Sequence, residues 1–157
     1  MKKGVVGVEN PFMFDPFEVL GMQKRFFLNL QDLEKRYFDA QRKTHPDRFS
    51  QDEKHEASKK SAAVNQAYLM LKDPLERGMF LLKDIGMEPV THHSEILMEM
   101  MTWRERLEAG ENLKDELRES ENKLLQDLQD GFEKKDYEVI RLDLYRLAYV
   151  QKLVKES

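Results

Sequence analysis

The sequence predicts an all-α chain in two parts, a helical hairpin unit packed against a three-helix bundle. Three observations carry that expectation. Apolar residues recur at helical spacing along almost the whole chain. The segment GMEPVTHHS, residues 86–94, interrupts this rhythm: Gly86 stops a helix, Pro89 blocks its continuation, and a fresh periodicity begins after it. The later connections, at Ala109-Gly110 and near Gly131, are short, which makes neighbouring helices antiparallel. The expected divisions are therefore residues 12–85, a linker at 86–94, and a bundle at 95–157.

In FDPFEVLGM, Asp15 is placed as an N-cap, Pro16 occupies the first helical position and Gly21 is a stop, giving a short first helix. A second helix runs from about Leu30 to Thr44, because Leu33, Tyr37, Ala40 and Thr44 share one narrow stripe. Pro46 lacks a backbone donor and pushes His45 out of helical geometry, so this helix ends at His-Pro-Asp. The third starts near Glu53, carries Ala57, Val64, Tyr68 and Leu71 as its stripe, and stops at Asp73-Pro74. The same dipeptide opens PLERGMFLLKDIG, where Leu75, Met79, Phe80, Leu81, Leu82 and Ile85 surround most of a short helix. So apolar a helix needs neighbours on more than one side, and it is expected between the two parts. Three helices follow, at roughly 95–109, 112–134 with Leu113, Leu117, Leu124 and Leu128 in register, and 136–155 opened by Asp136.

Composition removes several classes of function. At 157 residues the chain holds one domain or two small ones. It has no cysteine, which excludes disulfides, a thiolate metal site and a cysteine-held iron-sulfur cluster. Charged residues make up 36% with a net charge of -4 and both signs mixed throughout, which argues against nucleic acid as the main partner. No stretch approaches the roughly 20 apolar residues of a membrane span, and MKKGVVGVEN holds no apolar run of signal-peptide length, so a cytoplasmic protein without a membrane partner is expected.

KTHPDRF, residues 43–49, is the motif with the most chemistry. By itself His45-Pro46-Asp47 reads equally as a turn, with proline setting the geometry and aspartate bonding locally. As a site, Asp47 offers an acceptor for a charge-assisted bond to an arginine, held out of the helix by the fixed proline, and His45 offers a second polar contact. His45 beside Asp47 resembles an acid-base pair, yet no nucleophile or pocket signature accompanies it, so neither catalytic residues nor enzymatic activity is expected. Two amphipathic helices flank the tripeptide, Tyr37 lies eight positions before His45, and NQAYLMLKDPLER closes the second long helix. This arrangement resembles the J-domain, an antiparallel helix pair that presents a His-Pro-Asp loop to a DnaK-like ATPase chaperone. HPDRF, VNQAY with LKDPLERGMFLL, and ILMEMMTWRERL at 96–107 extend the likeness over nearly the whole chain, to the J-type co-chaperones of iron-sulfur cluster assembly, the HscB family. The cysteine-bearing module of eukaryotic members has no counterpart, which points to the bacterial type.

The resemblance implies two partners, an HscA-type ATPase chaperone and the scaffold protein on which iron-sulfur clusters are built, and no cofactor. In the family the His-Pro-Asp loop promotes ATP hydrolysis by the partner, and the second helix offers it positive charge. Here Lys35, Arg36, Arg42 and Lys43 lie opposite the Leu33-Tyr37-Ala40 stripe. A solvated face is the plain alternative, since Asp32 is four before Arg36 while Asp39 is four before Lys43 and four after Lys35. Thr44 stands where the family has an aromatic, which loosens packing beside the loop.

In the helix beginning near Glu95, Ile96, Met100, Trp103 and Leu107 form the buried stripe. Leu97, Met98 and Met101 are left over, with Arg104 and Glu105 alongside, and read as a binding patch because methionines suit adaptable surfaces. In the last helix, Tyr137, Ile140, Leu144 and Leu147 form a core stripe while Leu142, Tyr145, Tyr149 and Leu153 fall on its other side, as a second surface, a contact with the J-domain or a broad core. Leu97, Met98 and Met101 match the scaffold-binding segment of the family, with Tyr149 as an aromatic contributor from the last helix; Thr102 departs from the usual glutamate. His92 and His93 read as solvated linker residues and His55 as a solvated helix-face residue, so no metal site is expected. Two rivals remain, a J-protein for a different client and a structural helical adaptor in which His-Pro-Asp is only a turn.

Overall fold

The computed structural model describes residues 14–157. The opening MKKGVVGVEN and the first two residues of the expected 12–85 division lie outside the described residues. The described chain is helical, without a strand, and falls into two compact units that divide at Arg77 and Gly78.

In the first unit, α1 spans Pro16–Val19, and the Asp15 carboxylate accepts from the backbone N–H groups of Phe17 at 3.0 Å and Glu18 at 3.2 Å. That is the expected N-cap, meeting donors that a helix start leaves unpaired. Gly21 ends the turn at φ +63°, where a side chain would be strained. The helix α2, Leu30–Thr44, is capped by Asn29 and runs antiparallel to α3, Lys54–Lys72. The direction follows from the cross-links: Tyr37 stacks on Tyr68 with ring centroids 4.2 Å apart, while Gln41 reaches back to Ser61 and Asn65. Leu33 is buried with Ala57, Val64, Ala67 and Leu71; Tyr37, Ala40, Thr44 and Tyr68 are half-buried. The helix α4, Pro74–Asp84, begins beside an Asp73 carboxylate that accepts from the Leu75 N–H at 3.0 Å. Its early residue Arg77 is buried, a cation that the apolar pattern of the segment conceals.

In the second unit Phe80 and Leu82 are buried, whereas Ile85 is exposed. Three helices follow: α5, Ser94–Glu108; α6, Lys114–Lys134; and α7, Tyr137–Glu156. The α5 N-terminus corrects the reading of His93 as a solvated linker residue. Its ring Nδ1 accepts from the Ile96 N–H at 3.3 Å and its own N–H points to the Tyr145 hydroxyl at 3.4 Å, so it caps the helix and ties it to α7. Gly131 lies just before the connection, within the expected helix. It sits buried inside α6, where an added Cβ would come within 3.0 Å of Ile140 Cγ1, and the chain turns at Lys135, φ +56°, and Asp136. Glycine there permits α6 and α7 to approach closely.

Leu153 is buried and belongs to the core, which is the broad-core alternative for this helix. The physical reason is that α7 packs on both α5 and α6, so Ile140, Leu144, Leu147, Val150 and Leu153 wrap more than one stripe. Leu142, Tyr145 and Tyr149 are half-buried beside them. Charges complete the packing. Arg106 bonds to Glu111 at 3.0 Å and Glu116 at 3.2 Å across the α5–α6 turn, and Arg146 reaches the buried Asp143 at 3.1 Å and Glu99 at 3.6 Å.

Candidate functional site

Two separate places expose side chains of the kind that partners recognise, one in each unit. The first is the end of α2. Helical geometry stops at Thr44; His45 is extended at ψ 129°, and Pro46–Arg48 forms a single 3-10 turn. Inside that turn the Asp47 N–H donates to His45 Nδ1 at 3.3 Å. Accepting there leaves the imidazole proton on Nε2. The turn is braced from below by Arg48, which donates to the carbonyl of Arg42 at 2.8 Å and so meets one of the acceptors a helix end leaves open. The Asp47 side chain remains 84% exposed, which leaves its carboxylate open to a cation from outside. Sequence reading passed over Arg48, because nothing in HPDRF separates a brace from a solvated charge.

Lys35, Arg36, Arg42 and Lys43 are all exposed on α2. Asp32 pairs with Arg36 at 3.1 Å as its spacing suggested. Arg36 also donates to the carbonyl of Gly21 at 2.7 Å, fastening α2 to the turn after α1. Asp39 departs from expectation: it pairs with Arg42, not with Lys43 or Lys35. Rotamer reach favours the bidentate-capable guanidinium one turn away. Among the described residues, no carboxylate is within ion-pair distance of Lys35 or Lys43, so two of the four cations keep their full charge for a partner. Beside Lys43 and Thr44 an open cleft of about 550 Å³ is lined by Val19, Leu20, Ala40, Ala63 and Val64. Thr44 fills little of it, its hydroxyl donating to the Ala40 carbonyl at 2.8 Å.

The second place is a cleft of about 280 Å³ between α5 and α7. The two helices run parallel here, as the contacts Glu99–Arg146 and Arg104–Glu156 advance together along both. Met100 and Leu153 form its floor, Leu97 and Met101 its α5 wall, and Tyr149 and Lys152 its α7 wall. Ile96 and Met100 are buried and Trp103 and Leu107 half-buried, so the stripe that packs α5 is the expected one. Of the residues left over, Met98 is 69% exposed and Met101 52%, while Leu97 is half-buried in the cleft wall. Glu105 is exposed on the outer side with Met98, away from the cleft. Arg104 closes one end by a two-point bond to Glu156, at 3.1 and 2.9 Å. The Tyr149 ring meets Tyr145 edge-on at 5.4 Å, and the bond between the two phenols raises the Tyr149 hydroxyl above its usual pKa. Lys152 and Glu156 were missed from sequence, although their spacing of three and seven from Tyr149 places them on its face.

Residues 15–80 match the family model described as the DnaJ domain, and residues 92–156 match the model described as the HSCB C-terminal oligomerisation domain. An antiparallel helix pair joined through His-Pro-Asp, with a second helical domain following it, defines the class as a J-domain co-chaperone. A co-chaperone HscB homolog of Neisseria meningitidis serogroup A is 31% identical, across 89% of this chain and 95% of its own length. The iron-sulfur cluster co-chaperone HscB of Mus musculus is 33% identical, across 86% of this chain and 64% of its own. The crystal structure of human HscB superposes with a TM-score of 0.84 at 28% identity, covering 95% of this chain and 82% of the human one. The chain belongs to the HscB family of co-chaperones.

Proposed function

We propose that the chain acts in iron-sulfur cluster assembly, binding the cluster scaffold protein through the α5–α7 cleft and bringing it to a DnaK-like, HscA-type chaperone whose ATPase it stimulates. His45, Pro46 and Asp47 dock that chaperone, with Lys35, Arg36, Arg42 and Lys43 supplying the attraction. Leu97, Met98, Met101, Arg104, Glu105 and Tyr149 hold the scaffold. The chain performs no covalent chemistry in this role; hydrolysis occurs in the partner. Because one chain grips both proteins, the second encounter becomes intramolecular and gains effective concentration.

The observation that carries the reading is the exposed Met101 in the wall of an apolar-floored cleft, with Met98 exposed on the outer side of the same helix. An exposed side chain of this size forgoes about 1.5–3 kcal/mol of burial, which a partner recovers on docking. Calorimetric titration with the scaffold tests it. The double variant Leu97→Ala, Met101→Ala is expected to bind at least about tenfold more weakly, since two partly buried anchors are truncated. Wild-type affinity in a folded double variant rules the cleft out.

A further inference from the structure

Glu156 is the last residue of α7, and its carboxylate receives both terminal nitrogens of Arg104 from α5, at 3.1 and 2.9 Å. It belongs to none of the contact residues assigned above, yet it fixes one of them. A free arginine at the mouth of an apolar cleft lays its methylene stem over the apolar floor, here Met100 and Leu153. Held at two points, the guanidinium stands at the end of the cleft instead, and the floor stays open. Two-point arginine–carboxylate geometry is planar and directional, so little side-chain freedom remains to be lost when a partner arrives. Three donors stay uncommitted, the Nε–H and the second N–H of each terminal nitrogen. The same bond favours the ionised state of both groups, raising the Arg104 pKa and lowering that of Glu156, and the nearby Lys152 lowers the latter further.

We propose that Glu156 is a positioning residue of the scaffold-docking cleft: it holds Arg104 at the cleft end as a pre-ordered donor to a carbonyl or carboxylate of the scaffold, next to the apolar side chain that fills the cleft. This rests on the scaffold-binding reading given above and adds to it a residue that acts only through Arg104. The partner segment it fits carries an apolar side chain with a hydrogen-bond acceptor close beside it.

The test is a double-mutant cycle on the full chain, titrated calorimetrically with the iron-sulfur scaffold protein. Glu156→Gln in the wild-type background is expected to weaken binding about fivefold, by restoring freedom that the pair had removed. In an Arg104→Ala background the same change has no effect, because nothing is left to position. Glu156→Asp, which keeps the charge and loses one methylene, retains more affinity than the glutamine variant. Equal losses in both backgrounds point to a fold effect and overturn the proposal, as does wild-type affinity for Glu156→Gln. If Leu97→Ala, Met101→Ala also binds normally, the cleft reading falls with it; if that variant fails to bind while Glu156→Gln binds normally, this inference alone falls.

Discussion

Burying a guanidinium costs several kcal/mol unless its donors find acceptors, and Arg77 finds two. Its Nε donates to the Phe26 carbonyl and a terminal nitrogen to that of Leu71, each at 2.6 Å, and the group lies 4.9 Å from the Phe26 ring centroid. Burial pushes its pKa down to about 10, against the opposing pull of Asp73. Arg77→Ala removes both of these bonds and the buried stem that makes them, and is expected to lower stability by about 2–4 kcal/mol in urea unfolding; a loss below about 0.5 kcal/mol, the scale of an ordinary surface change, contradicts this. Asp143 is the acidic counterpart, raised by burial and only partly restrained by Arg146. The folded state therefore binds its proton more tightly than the unfolded one. Its effect on stability is unfavourable once ionised, growing as pH rises from the usual carboxylate range through the raised folded value. Asp143→Asn is accordingly expected to gain in melting temperature relative to wild type between pH 4 and pH 7; a constant difference across that range speaks against it. Neither residue was readable in the sequence, because a charged residue in an amphipathic pattern looks the same buried or solvated until the facing elements are known.

At the scale of the helix, local chemistry was legible and neighbours were not. Asp15, Pro16, Pro46, Asp73 and Asp136 mark starts and stops where caps and the missing proline donor require them, so the seven α-helices among the described residues fall close to their expected ranges. Gly131 lies inside the expected 112–134 helix, and its lack of a side chain admits Ile140. Leu153 was left open between a core and a second face, because a wheel shows one stripe at a time, and it is buried because α7 has two partners. The leftover face of α5 was legible, since Ile96 and Met100 already account for its packing and Met98 and Met101 remain outside. Thr44 was also readable as a deficit, and the cleft beside it gives that a measurable consequence. A phenylalanine at 44 reaches Val19, Leu20, Ala63 and Val64 while giving up only the local bond to Ala40. Thr44→Phe is expected to raise stability by about 1 kcal/mol, part of the value of burying such a ring. A lower melting temperature indicates that the cleft cannot take the ring.

For the whole molecule, the division of labour matters more than either contact alone. A chain with no cysteine carries no thiolate-held cluster of its own, and in the proposed role it serves cluster assembly by holding another protein. None of the described helices is long and apolar enough to cross a membrane. In the proposed role, an exposed carboxylate on a 3-10 turn docks the ATPase and an apolar cleft in the other unit grips the scaffold. The two functions should therefore be separable by mutation. Single-turnover ATP hydrolysis by the HscA-type chaperone, with and without scaffold, measures this most directly. Asp47→Asn, a surface change with little effect on folding, is predicted to abolish stimulation under both conditions while its scaffold affinity stays at the wild-type value. Leu97→Ala, Met101→Ala is predicted to keep scaffold-free stimulation and lose the increment that scaffold adds. Normal stimulation by Asp47→Asn, or loss of scaffold-free stimulation in the folded cleft variant, contradicts the account.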